Sequence, residues 1–168
     1  MNENPSDSMI RIGLISDTHG LLRPEALDAL RGSDYIVHAG DIGEGVLDAL
    51  AAIAPVTAVR GNNDRGPWAE RLSEVEWLRF GEVTLHVLHD LADLGIDPGA
   101  AGVAVVVSGH SHRPKIERRG GVLFVNPGSA GPVRFKLPVS VALLQVIGAE
   151  ATARIVELES LRSDAGVR

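Results

Sequence analysis

The chain of 168 residues has no cysteine, which removes disulfides, zinc–thiolate sites, iron–sulfur clusters and thiol nucleophiles together. Any metal it binds must be held by nitrogen and oxygen. Basic residues number 16 against 22 acidic ones, a formal charge of -6, so the chain as a whole does not attract nucleic-acid backbones. An extended DNA or RNA partner is disfavoured. No apolar run approaches the roughly 18 residues that read as a membrane span; the one ending at Val107 is about half that. The start, Met1 to Ser8, is polar and lacks the basic-then-apolar pattern of a signal peptide, so a cytoplasmic protein with no membrane association is expected. No internal repeat, low-complexity tract or linker interrupts the chain. Aromatics are few, and Trp68 and Trp77 read as packing residues.

At this length one domain suffices, burying roughly 70% of its unfolded surface. The expected organisation is a loose tail over 1–9, one domain over 10–160 and a polar tail over 161–168. The pattern opens as βαβαβ. Strands are expected at Ile10–Ile15, Tyr35–Ala39 and Val56–Arg60, with helices opened by Arg23-Pro24-Glu25 and running from Glu44 to Ala54. That alternation implies a parallel sheet. After Gly66-Pro67 it gives way to hairpins: Val75–Phe80 with Val83–Leu88, and Lys115–Arg119 with Val122–Val125. Between them lie a short helix or loop over 91–102 and a buried strand, Val103–Val107. Ser140–Ile147 and Thr152–Leu158 form a last antiparallel pair.

The polar groups fall at the ends of these strands. Asp17 and His19, Asp41, Asn62, His89, and the pair His110 and His112 each follow an apolar run. In an α/β fold strand ends converge on one edge, so seven donors from five loops meet there. Carboxylate, amide and imidazole donors suit manganese, iron, nickel, cobalt or zinc better than magnesium or calcium. Seven ligands exceed the usual protein share of one ion, and two ions about 3.5 to 4 Å apart, bridged by a carboxylate, are the economical arrangement. Such a pair leaves a positive site in an acidic protein and draws a phosphate. It also turns a bridging water into hydroxide near neutral pH, poised for in-line attack on phosphorus. No side-chain nucleophile is required, and there is no Gly-x-Ser-x-Gly elbow.

The order and spelling of these pieces, Asp17-x-His19, Gly40-Asp41, Gly61-Asn62, His89 and Gly109-His110-x-His112, resemble the signature of the calcineurin-like metallophosphoesterases. The short length and the run Gly61-Asn62-Asn63-Asp64 are similar to the small YfcE-like phosphodiesterases of that superfamily. The resemblance covers residues 10 to about 130. It implies a four-layer α/β sandwich in which two mixed β-sheets are flanked by helices. It implies two divalent ions, manganese first, with nickel, iron, cobalt or zinc as alternatives. Asp17, His19, Asp41 and His112 would hold the first, and Asp41, Asn62, His89 and His110 the second. The expected activity is phosphodiester hydrolysis on a small substrate; a scaffold like the retromer subunit of similar fold is the alternative. A second copy of the chain is a further candidate partner.

Two departures bear on the chemistry. Larger members carry a histidine after the asparagine ligand, able to assist the leaving group; here that residue is Asn63, which has no proton to give, and Asp64 becomes the other candidate acid. Asp90 stands after His89 where glycine is common, adding a carboxylate near the second ion. Among the rest, His38 reads as a hydrogen-bonded core residue orienting the Asp41 loop, and His86 as a half-exposed strand residue. Arg113, Lys115, Arg118 and Arg119 read as surface charge or as a phosphate-steering cluster, and Asn126 to Ser129 as a turn that can approach the site.

Overall fold

The computed structural model describes residues 8–158. Residues 1–7 of the expected N-terminal tail, the whole expected tail over 161–168 and the last two residues of the expected domain lie outside the described residues, and Met9 joins the first strand rather than the tail. The strands are β1 (Met9–Ile15), β2 (Tyr35–His38), β3 (Val56–Ala58), β4 (Val75–Phe80), β5 (Val83–Leu88), β6 (Val105–Val107), β7 (Lys115–Arg119), β8 (Val122–Asn126), β9 (Ser140–Ile147) and β10 (Glu150–Glu157). Three short helices are α1 (Pro24–Leu30), α2 (Val46–Ala51) and α3 (Pro67–Glu70). None is long and apolar enough to cross a membrane.

Two five-stranded mixed sheets form, in the orders β10-β9-β1-β2-β3 and β4-β5-β6-β8-β7. Within the first, β1, β2 and β3 are parallel, as their helical crossovers require, while β9 and β10 join antiparallel. Within the second, β5, β6 and β8 are parallel, with β4 and β7 antiparallel at the edges. The sheets face each other across a core of β-branched and leucine side chains. Ile12, Leu14 and Val37 come from one sheet, and Leu85, Val105 and Val125 from the other. Strands such as β6, buried on both faces, read as continuous apolar runs for that reason.

The outer layers differ in thickness. Over the first sheet, α1 and α2 bury Ala26, Leu30, Val46 and Leu50 against Ile15 and Ile36. Over the second, the cover is the 91–102 segment, which holds a single 3-10 turn at Leu91–Asp93 and packs Leu91, Leu94 and Ile96 on Leu88, Val103, Val106 and Val122. The four-layer sandwich expected from the sequence is present, with its fourth layer reduced to this loop.

Two boundaries moved for physical reasons. The helix expected from Glu44 starts at Val46 because Gly45 takes a left-handed conformation, φ 86°, that no helical residue adopts. The strand expected to reach Arg60 loses its regular pairing after Ala58. Val59 still donates to His38 O and Arg60 donates to Ser73 O, which carries the chain toward the site. The helix α3 was not expected, although Pro67 at its first position is a start signal.

Candidate metal centre

The parallel strands of both sheets end at one edge of the sandwich. There β1 delivers Ser16 to Gly20, β2 delivers Gly40 to Gly43, β3 leads to Gly61–Asp64, β5 to His89, and β6 to Gly109–His112. The loops are tied across the gap between the sheets. The His89 Nδ1–H donates to Ala39 O at 2.7 Å, Ser129 Oγ to Asp17 O at 3.1 Å, and Ala130 N to Ser16 O at 3.0 Å. Within the first sheet, Asp17 N donates to Gly40 O and His19 N to Asp41 O.

Five of the seven expected ligands converge in this gap. Asp17, His19 and His112 offer ligand atoms within 4.8 Å of one another, as do Asp17, Asp41 and His89. Asp17 Oδ2 is already engaged, accepting from Ser16 Oγ at 2.6 Å and His110 N at 3.1 Å. Its other oxygen, Oδ1, is buried with no hydrogen-bond partner and lies 3.3 Å from His112 Nε2 and 3.9 Å from both His19 Nε2 and His89 Nε2. Asp41 Oδ2 stands between the two sets, 3.8 Å from His19 Nε2 and 3.3 Å from His89 Nε2. His19 Nε2, His89 Nε2 and His112 Nδ1 are also buried without partners. An unmet buried polar atom costs roughly 1 to 3 kcal/mol, so the gathering of Asp17 Oδ1, His19 Nε2 and His89 Nε2 fits a cation as their common partner. The donors are carboxylate oxygen and imidazole nitrogen, and they fit a borderline divalent metal.

The remaining two stand at the rim. Asn62 is exposed and lines a cavity of about 430 Å3 together with His89 and His110. His110 is 47% exposed, its ring stacks edge-on at 5.2 Å from His89, and its Nε2 lies 3.6 Å from Asp90 Oδ2. The carboxylate of Asp90, which also caps the 3-10 turn through Ala92 N, thus faces the outermost histidine.

The electrostatics follow from these contacts. Burial pushes the Asp41 carboxyl up, but the His89 imidazole 3.3 Å away, together with hydrogen bonds from the Asn63 N–H at 2.9 Å and the Asn63 amide at 3.0 Å, holds it well below the usual carboxylate range. Burial lowers the His89 imidazole, and that effect is outweighed by Asp41, by the Ala39 carbonyl and by the charge of Asp17, so the net shift is upward. His112 is shifted down, chiefly by burial against the opposing pull of Asp17, with Arg134 adding to the lowering.

The two residues expected to supply an acid have other tasks. Asn63 grips Asp41 through its backbone and side chain. Asp64 is buried, and its carboxylate accepts four backbone N–H groups: Ile42 at 2.8 Å and Gly43 at 3.3 Å on Oδ1, Asp41 at 3.0 Å and Gly61 at 2.8 Å on Oδ2. Four donors fill the lone-pair positions of a carboxylate. Asp64 therefore pins the Asp41 loop to the Asn62 loop and has no place for a proton to give. His38 is the buried hydrogen-bonded residue expected: its Nδ1 accepts from Gly40 N at 3.1 Å, so its Nε2–H points to Thr18 Oγ1 at 3.0 Å, which donates to Ile42 O at 2.6 Å. His86 departs from expectation, being buried on the outer face of the second sheet with its ring 4.6 Å from Trp77. Asn126 closes the far side, donating to Gly109 O at 2.9 Å.

Sequence reading missed the packing partners. Ser16 and Thr18 carry no spelling that separates them from ordinary loop residues, whereas Ser129 lies in the turn read as able to approach the site and does so through Asp17 O. Gly61 and Gly109 look like turn glycines, yet neither has a positive φ. At each a Cβ would collide with a candidate ligand or its neighbour: Gly61 with the Asp41 backbone and carboxylate, Gly109 with Ser16 Oγ and Asp17 Oδ2.

Two mixed sheets facing each other, with a metal-fitting cluster at their shared edge, define a protein of the metallophosphoesterase class. A model of the calcineurin-like phosphoesterase superfamily domain matches residues 10–148, and the chain belongs to that superfamily. A probable metallophosphoesterase of Methanothermobacter thermautotrophicus is 38% identical over 160 residues, covering 86% of this chain and 91% of its own. Three solved structures share the fold. An archaeal phosphodiesterase has a TM-score of 0.73 at 21% identity, covering 88% of this chain and 100% of its own. The phosphoesterase YfcE of E. coli has a TM-score of 0.63 at 21% identity, over 89% and 100%. Vps29 of Chaetomium thermophilum has a TM-score of 0.72 at 20% identity, over 88% and 97%. Within that superfamily the chain is a metal-dependent phosphoesterase.

Proposed function

We propose that the protein is a phosphodiesterase that holds two divalent ions, manganese first among the candidates. Asp17, His19, Asp41 and His112 would hold one, and Asp41, Asn62, His89 and His110 the other. The observation that carries this reading is the set of buried, unpartnered atoms Asp17 Oδ1, His19 Nε2 and His89 Nε2, with His112 Nε2 3.3 Å from Asp17 Oδ1, gathered at the Asp17 and Asp41 carboxylates. When bound, such ions supply Lewis acidity and an activated water.

The chain's own residues fix the rest. Ser16 and the His110 N–H hold Asp17 by one oxygen and leave the other free to ligate. The Ala39 carbonyl takes the Nδ1–H of His89 and leaves Nε2 facing the carboxylates. Hydrolysis forms a bond from water oxygen to phosphorus and breaks the bond to the ester oxygen, which departs with a proton. Asn63 offers no such proton and the Asp64 oxygens are filled, so good leaving groups are favoured. Asp90, set against His110, adds negative charge at the rim and disfavours a monoester dianion relative to a diester monoanion. The cavity beside Asn62 suits a small substrate. A second reading, an interaction module, draws on the likeness to a vacuolar protein sorting protein.

Elemental analysis after manganese loading is expected to give about two ions per chain. The loaded protein is expected to hydrolyse bis-p-nitrophenyl phosphate faster than p-nitrophenyl phosphate. Zero metal with the fold intact refutes the centre, a tenfold faster monoester reverses the preference, and full metal content without hydrolysis of either favours the interaction module.

A further inference from the structure

A second cavity adjoins the first. It encloses about 290 Å3 and shares Asp90 and His110 with the cavity beside Asn62. Its floor is Phe124 on β8. Leu123 and Val125 of that strand turn into the core between the sheets, and Phe124 turns outward, half-buried beside the thin outer layer. Its wall is the edge strand β7, whose alternate residues Lys115, Glu117 and Arg119 share one face.

These side chains make a cationic surface around an aromatic ring. The Arg119 guanidinium carbon lies 5.2 Å from the centre of the Phe124 ring and is fixed there by Glu117 at 2.9 Å. The same carboxylate holds Lys115 at 3.1 Å. Arg113 lines the groove as well, so three cations face two carboxylates, Glu117 and Asp90. A guanidinium stacked on a ring accepts a flat π-system and offers little to an alkyl chain. A sugar polymer would need free hydrogen-bonding groups, and Asn126 is spent on Gly109 O, Ser111 Oγ and Gly128 N. The volume, at the lower end of the roughly 300 to 1,000 Å3 of ligand sites, suits one base and its sugar.

We propose that this groove holds the nucleoside of a nucleotide diester, with the base stacked on the Arg119–Phe124 pair and the sugar passing His110 and Asp90. Its phosphorus then lies at the candidate metal centre. The proposal rests on the phosphodiesterase reading and adds the substrate class.

Thymidine 5′-(p-nitrophenyl phosphate) and methyl p-nitrophenyl phosphate share a leaving group and a single negative charge, and differ in the nucleoside. Wild-type protein is expected to prefer the nucleotide ester by about tenfold or more in kcat/KM, mainly through KM, in line with the loss that removing a base stack produces. Arg119→Ala, at a half-exposed side chain, is expected to bring that ratio close to one, and Phe124→Leu to lower it. Equal kcat/KM for the two esters in wild type sinks the groove and leaves the phosphodiesterase reading standing, whereas failure to hydrolyse either sinks that reading. A separate readout needs no catalysis: thymidine 5′-monophosphate titrated into the metal-free protein is expected to shift the backbone amides of Lys115–Arg119 and Val122–Asn126, and to do so less in Arg119→Ala. Unmoved amides on both strands overturn the groove whatever the activity shows.

Discussion

Asp64→Asn separates a loop clamp from a catalytic acid. The change keeps the shape of the side chain, but an amide has one acceptor oxygen where a carboxylate has two. However the amide turns, its NH2 meets two backbone donors, either those of Asp41 and Gly61 or those of Ile42 and Gly43. Two charge-assisted hydrogen bonds worth roughly 1.5 to 3 kcal/mol each are lost. Local relaxation recovers part of this. The expected loss is about 3 kcal/mol, which in a chain of this size lowers Tm by roughly 6 to 12 °C. Because the released segments carry Asp41 and Asn62, metal affinity falls with stability.

Urea unfolding of the metal-free protein gives the stability change, calorimetric titration with manganese gives the affinity, and two diesters complete the test. As a clamp, Asp64 affects p-nitrophenyl and alkyl leaving groups by the same factor, since the lesion lies in the site's geometry. As an acid, it would spare stability and affinity and slow only the ester whose leaving oxygen needs a proton. A stability change below about 0.5 kcal/mol, the range of an ordinary surface substitution, refutes the clamp.

Three further outcomes are expected. Gly109→Ala places a methyl group 2.6 Å from Asp17 Oδ2 and closer still to Ser16 Oγ, so it should cost roughly 1 to 3 kcal/mol by overpacking and weaken manganese binding in calorimetry; unchanged affinity would show that Asp17 can move freely. Asn63→His should raise the rate on alkyl leaving groups more than on p-nitrophenyl esters in steady-state assays, and equal effects would show that protonation is not limiting. His38 is held neutral by burial, its pKa pushed from 6.5 down to about 3, so the unfolded chain binds the extra proton and stability falls as pH drops through that window. Between pH 7 and pH 5 its share is about 2 kcal/mol, which urea midpoints of metal-free wild type should show and those of His38→Gln should lack.

The donors were readable because each follows an apolar run, and runs of Val, Ile and Leu at these lengths announce strands whatever the fold. Asp17, His19, Asp41, His89 and His112 meet in space for that reason. What the one-dimensional pattern lacked was direction. Asp64 sits two residues after Asn62 and looks as available as its neighbour, yet the turn at Gly61 aims its carboxylate into the backbone amides of 41–43. His86 was expected half-exposed, because nothing in its own segment reveals that Trp77 lies opposite it in the β4–β5 register. The cavity at Phe124 was equally hidden: the basic residues around β7 read as surface charge or a phosphate-steering cluster, and only the neighbouring strand shows the ring beside Arg119.

The least legible feature is the backbone of the candidate ligands themselves. Asp17, His19, Asp41, His110 and His112 all have positive φ, between 47° and 67°, and account for five of the seven such non-glycine residues among those described. Aspartate and histidine tolerate this region better than most, but each still costs on the order of 1 kcal/mol, and five approach the lower end of a domain's whole stability of about 5 to 15 kcal/mol. Strain on that scale persists only where surrounding contacts over-determine it. Those contacts are the Asp64 clamp, the His38–Thr18–Ile42 chain, and the cross-sheet bonds through Ala39 and Ser129. At Asp17, His19, Asp41 and His112 the left-handed turn falls just past the strand at residues whose ligand atoms lie close together, while His110 stays at the rim. The hydrogen-bonded second ring therefore does in this fold what cysteine-rich metal sites achieve through covalent or thiolate anchoring: it fixes imidazole and carboxylate donors close together at a cost met by the rest of the structure.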